Sequence, residues 1–129
     1  METKDALDNL IVDDNKAADI NLLASLISRY LKFTKEGEII FEKEFYKLKD
    51  YQKILTFLLG RKVISIKKLK SDFREKIAPK EMGEILGIPS KSITKYFSVE
   101  LKSIVKNDKR EYGAPNYALH KCEEILKKK

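Results

Sequence analysis

Residues 51–66, YQKILTFLLGRKVISI, put apolar side chains on nearly every side of a helix: Tyr51, Ile54, Leu55, Phe57, Leu58, Leu59, Val63, Ile64 and Ile66 run right round its axis. Such a helix is stable only when other elements cover it from several directions, so the rest of the chain must wrap around this segment. Asp50 precedes it as the expected N-cap. Its nearly unbroken apolar run, residues 54–59, is six residues long with Thr56 inside it, far below the roughly 20 that span a bilayer. No membrane span is expected. Gly60 costs about 1 kcal/mol relative to alanine, a cost that a bend or a closely crossing helix would explain.

At 129 residues the chain is expected to hold one main domain. Residues 1–15 are acidic, lack a sustained period and are read as a mobile tail. Over 17–33, Ile20, Leu23, Ala24, Ile27, Tyr30 and Leu31 recur at helical spacing, with Asp14 or Asn15 as N-cap, and predict one helix. Leu22, Leu26 and Phe33 lie beside that stripe and widen the apolar arc to roughly 200°, more than one contact needs. One explanation is a homodimer, with Leu22, Leu26 and Phe33 at the subunit contact and Ile20, Leu23, Ile27 and Leu31 facing the chain's own core. The other is that the N-terminal residues wrap the central helix and bury both sides of the arc. Lys35-Glu36-Gly37-Glu38 breaks the pattern, and Ile39, Ile40 and Phe41 predict a short strand. Residues 16–49 are therefore an N-terminal extension and candidate dimerisation element, and 50–129 the main domain.

Within that domain, Pro79 opens a short helix whose Met82, Ile85 and Leu86 share a face, and Gly87 ends it. Ile88 and Pro89 form the turn. Ser90 is the expected N-cap of a second helix over 90–102, with Ile93, Phe97, Leu101 and Ile104 as its apolar stripe. At about 100° per residue, Lys95, Ser98 and Lys102 fall within about 40° of Lys91, on the side opposite the apolar stripe. A solvated surface stripe usually mixes charge signs; this one holds three lysines and a serine. A strand over 103–107, a turn at Asn107-Asp108-Lys109-Arg110 and a return segment over 112–118 follow, with Lys106, Lys109 and Arg110 near the tip. Pro115 belongs at an edge. A short helix over 120–129 closes the chain.

The segment GEILGIPSKSITKYFSVEL followed by a hairpin resembles the winged helix-turn-helix domains of prokaryotic and archaeal transcription regulators, across roughly residues 50–120. The resemblance implies a mainly α fold with a small β-hairpin wing. It also implies that helix 90–102 enters the major groove of double-stranded DNA, with Lys91, Ser92, Thr94 and Lys95 near base edges or phosphates. Ser98, Lys102, Lys106, Lys109 and Arg110 complete the candidate nucleic-acid-binding set. The helix has no Arg, Asn or Gln, the side chains that make most bidentate base contacts.

Charge is distributed to match. Residues 1–50 carry eight basic and eleven acidic side chains, while residues 51–129 carry nineteen basic and nine acidic, so the C-terminal part is the one suited to a polyanion. The same Lys, Glu and Ile richness, with one Gln and no Trp, is also the composition of a heat-adapted surface. Two further readings stand beside DNA binding: a winged helix serving protein contact within a larger nucleic-acid-processing assembly, and RNA binding. RNA readers stack bases on exposed aromatics, whereas Tyr96, Phe97, Tyr112 and Tyr117 are expected to pack in the core or wing.

Catalysis is not expected. His120 and Cys122 are the only residues of their types, and at i,i+2 they point to different sides of a helix. They cannot form the usual zinc site of four ligands, no glycine motif cradles a phosphate, and neither metal nor cofactor is expected. A lone cysteine and an opening METKDALDNL without a basic, apolar start predict a cytoplasmic protein.

Overall fold

The computed structural model describes residues 19–127; the acidic tail expected over 1–15 and the N-caps expected at Asp14 or Asn15 lie outside the described residues. The described chain is mainly helical with two small antiparallel hairpins: α1 (Ile20–Ile27), β1 (Leu31–Phe33), β2 (Ile39–Phe41), α2 (Asp50–Ile66), α3 (Pro79–Leu86), α4 (Ser90–Ser98), β3 (Lys106–Asp108), β4 (Glu111–Gly113) and α5 (Leu119–Lys127). Among the described residues no helix is long and apolar enough to cross a membrane.

α2 is the centre of the core, as its composition requires. Ile54, Leu55, Phe57, Leu58 and Leu59 are at most 2% exposed. Lys49, not Asp50, is its N-cap: the Lys49 N–H donates to Gln52 Oε1 at 2.9 Å, and Asp50 becomes the first helical residue. The buried Gln52 amide donates in turn to the Ile125 carbonyl at 2.9 Å, so the start of α2 is tied to α5. Leu23, Leu26 and Ile27 of α1, Leu31 of β1, and Leu119, Cys122 and Leu126 of α5 join the α2 residues in one continuous core.

The single helix expected over 17–33 is instead a two-turn helix and a strand. Asp19 caps α1, its carboxylate accepting the Leu22 N–H at 3.0 Å. The helix stops at Ile27 because the next residues form better bonds elsewhere: Leu31 pairs with Phe41, Lys32 with Ile40 and Phe33 with Ile39, and the Glu42 N–H donates to the Tyr30 carbonyl at 2.8 Å. Gly37, at φ 87°, supplies the left-handed residue in the connecting loop. With the chain turning at 28–30, the wide apolar arc ceases to exist as one surface. Leu26 is buried in the chain's own core, Leu22 and Phe33 are half-buried against that core, and Ile20, expected inward, is exposed. Gly60 is also explained by this hairpin and not by a helix crossing: a Cβ there would stand 2.7 Å from Leu31 Cδ1.

Cys122 sits at the α2–α5 contact with no exposure, its thiol donating to the Ala118 carbonyl at 3.4 Å. Burial pushes the thiol from its ordinary value of 9 up to about 12, against the opposing pull of the Lys62 charge. Between those values the unfolded chain gives up a proton that the folded chain keeps, so folding stability falls as pH rises from about 9 towards 12, by up to about 1.4 kcal/mol per pH unit. Denaturant titrations across that range should show a steeper loss in the wild type than in Cys122→Ala. A thiol reagent at neutral pH should modify Cys122 no faster than the protein unfolds; rapid stoichiometric labelling of the folded chain would contradict the burial.

Candidate nucleic-acid interface

The approach of α3 to α4 is set by a turn and one glycine. Pro79 takes the first helical position of α3, and Gly87 ends it at φ 72°, its N–H bonding the Gly83 carbonyl at 2.8 Å. Ile88 is buried in the turn, Met82 anchors α3, and Ile93 and Phe97 anchor α4. Ile85, expected on the same face as Met82, is 48% exposed and Leu86 is half-buried. The two helices meet so closely that a Cβ on Gly83 would lie 2.5 Å from the Ile88 carbonyl oxygen and 3.5 Å from Ile93 Cδ1.

Burial of Ile93 and Phe97 turns the opposite side of α4 outward. Lys91, Thr94, Lys95 and Ser98 are exposed and Ser92 is half-buried. The helix SKSITKYFS contains no acid. Thr94 and Ser98 donate their hydroxyls back to the Ser90 and Thr94 carbonyls, at 3.0 and 3.2 Å, which leaves oxygen lone pairs facing solvent. The N-cap is Pro89, and Ser90 is the first helical residue rather than the cap.

The helix expected over 90–102 ends at Ser98. Val99, at φ −120° and ψ −80°, leaves helical geometry, the Leu101 N–H reaches back to the Tyr96 carbonyl at 2.8 Å, and the chain winds through turns that bury Leu101 and Ile104. Those two apolar residues keep their predicted burial without continuing the helix. Lys102 is exposed but stands outside α4, so its predicted alignment with Lys91 and Lys95 does not hold.

The hairpin starts and turns later than predicted: β3 begins at Lys106, and the two-residue turn is Lys109-Arg110 between paired Asp108 and Glu111. Both turn residues have positive φ, 51° and 69°, and Asn107 Oδ1 accepts the Arg110 N–H at 3.0 Å. Behind the hairpin, Ile77 exchanges backbone hydrogen bonds with Tyr112, at 2.8 and 3.0 Å, adding an antiparallel bridge on the far side of β4. The Tyr112 ring stacks on Phe97 with centroids 4.2 Å apart, fixing the hairpin against α4. Tyr96 lies 6.0 Å from the Tyr51 ring, and Tyr117, expected to pack, is 39% exposed. Loss of hydration, with Asp50 and Glu100 nearby, pushes the Tyr96 phenol upward.

Sequence reasoning missed Arg74 and Lys76. Lys76 Nζ donates to Asp108 Oδ2 at 3.0 Å, and Arg74 pairs with Glu111. The hydrogen bond from Lys76, and its charge, hold the Asp108 carboxyl below its usual range. Both hairpin acids are thus matched by cations from one segment, while Lys106, Lys109 and Arg110 are exposed. No local periodicity marks residues 74–76; only the bridge of Ile77 to Tyr112 brings them to the hairpin. Among the described residues no group of three or more His, Cys, Asp or Glu is placed to hold a metal ion. Comparisons with protein-family models, curated proteins and solved structures returned no match.

Helix propensity alone favours alanine over glycine at position 83 by about 1 kcal/mol. The clash with a backbone oxygen outweighs it, because a carbonyl in a tight turn has no rotamer to retreat to. Gly83→Ala should therefore lose about 1 kcal/mol or more in denaturant unfolding; a gain in stability would mean that the helices do not meet as closely as described.

Proposed function

We propose that the protein binds double-stranded DNA as a winged helix-turn-helix module and acts in transcription regulation, with α4 in the major groove and the β3–β4 hairpin as a wing on the backbone. The observation that carries the reading is a pair of cationic surfaces on two elements that pack together through Phe97 and Tyr112. An acid-free exposed face on α4 stands beside a hairpin whose acids are both bound by Arg74 and Lys76, with Lys109 and Arg110 at the tip. The order α2, bridge at Ile77, α3, α4, hairpin supports it too. α4 is nine residues, about 14 Å long, which suits a major groove about 12 Å wide. With lysines and hydroxyls as its outward side chains, α4 makes chiefly phosphate contacts and reads little sequence directly.

Binding should weaken steeply with salt. Lys91→Ala with Lys95→Ala removes two phosphate contacts, so the slope of log K against log salt should become shallower by about 2 units. Lys109→Ala with Arg110→Ala should weaken specific and random duplexes about equally. Affinity that ignores both salt and these substitutions would sink the DNA reading and leave protein contact as the better account. Tighter binding to single-stranded RNA than to duplex DNA would redirect it to RNA.

A further inference from the structure

Two neighbouring cations of α2 reach the base of the hairpin from inside the protein. Lys62 is 2% exposed, and its ammonium donates to Glu75 Oε2 and to Asn116 Oδ1, each at 2.7 Å. Glu75 lies two residues before Ile77, the bridge partner of Tyr112, and Asn116 lies three residues after Gly113, where β4 ends. One buried ammonium therefore holds both the chain that enters the bridge and the chain that leaves the hairpin. Arg61 grips the entering chain a second time: its Nε donates to the Glu75 carbonyl at 2.9 Å, it also donates to the Arg74 carbonyl, and its guanidinium lies 4.6 Å from the Phe73 ring centroid. From this clamped segment Arg74 and Lys76 extend to Glu111 and Asp108.

An ion pair whose ammonium is buried is a poor source of net stability, because desolvation of that charge offsets much of the attraction to the half-buried Glu75. What it provides here is geometry, since one ammonium with two acceptors on two different segments permits a single arrangement of the hairpin base. β3 is exposed at all three residues, so the hairpin is held through β4, by the Tyr112 ring on Phe97 and the bridge to Ile77, and at its base by the Lys62 pair. We propose that Lys62 is a positioning residue. Through Glu75 and Asn116 it sets the orientation of the hairpin against α4, and with it the placement of Lys109 and Arg110 relative to that helix. The proposal rests on the DNA reading for its consequence and deepens it; Lys62 itself touches no ligand.

The orientation is measured on the free protein by residual dipolar couplings of the amides at 106–113, fitted in the alignment frame of α2, α3 and α4. The wild type should fit one rigid frame. Lys62→Met with Glu75→Leu removes the ion pair without leaving a lone buried charge, so the thermal midpoint should move little while the hairpin couplings no longer fit. Hairpin couplings that keep the wild-type fit would overturn the proposal. In duplex DNA binding the same pair of substitutions should lower the salt slope by about 2 units, as loss of the two tip cations does. It should add nothing when Lys109→Ala and Arg110→Ala are already present, and a further loss in that background would overturn action through the tip. Should the double variant fail to fold, Asn116→Ala, which removes one of the two acceptors, is judged by the same criteria. If the wild type binds no duplex DNA, the DNA reading fails and the couplings still decide whether Lys62 positions the hairpin.

Discussion

Everything in this fold answers to the need to cover α2 from all sides. A helix with one apolar stripe needs one partner; α2 buries Ile54, Leu55, Phe57, Leu58 and Leu59 in directions that no single element covers. α1, the β1–β2 hairpin, α3, α4 and α5 are arranged around it, and even Gln52, a buried polar residue in its first turn, holds α5. Gly60 shows how tight the covering is. The helix accepts a residue of poor propensity because Leu31 occupies the volume a side chain would need. The N-terminal extension is in this sense part of the main core, since Leu23, Leu26 and Ile27 belong to the same cluster as Ile54 and Leu126.

What the sequence made legible was local. The starts of α3 and α4, the Gly87 stop and the buried Ile93 and Phe97 each depend on a residue and its near neighbours, and those expectations agree with the structure to within a residue. What it hid was the competition between local periodicity and long-range pairing. Residues 20–31 do repeat at helical spacing, but Leu31 and Phe33 gain strand partners in Phe41 and Ile39, and a register between segments eight residues apart is not written in either segment alone. The same error recurs after Ser98. Leu101 and Ile104 fit a helical stripe and are indeed buried, yet a set of turns buries them equally well, so the apolar pattern reported their burial and misreported the backbone. Lys102 was lost from the α4 face by that route.

The charge asymmetry between the two halves of the chain survives folding in a more specific form. A count of lysines cannot distinguish a solvated surface from a binding face, because both are exposed. Pairing separates them. In the hairpin each acid has a cation across from it in segment 74–76, so Asp108, which also feels the Lys109 charge, is already bound by Lys76. α4 reaches the same result by composition, having no acid between Ser90 and Ser98. Two different devices thus give two neighbouring cationic surfaces, and the Phe97–Tyr112 stack fixes one against the other.

The hairpin turn shows where the fold accepts strain. Lys109 and Arg110 both have positive φ, and for residues with a Cβ the left-handed region costs roughly 1–2 kcal/mol each. Asn-Gly is the sequence that fills such a two-residue turn cheaply. The protein offsets part of the cost locally, since the Asn107 side chain accepts the Arg110 N–H, and part from outside the hairpin, since Ile77 and the Lys76–Asp108 and Arg74–Glu111 pairs hold both strands in register. The strain therefore depends on the same 74–77 segment that α2 clamps through Arg61 and Lys62. A turn of this composition persists because the central helix, separated from the hairpin in sequence by α3 and α4, holds the 74–77 segment that stabilises it.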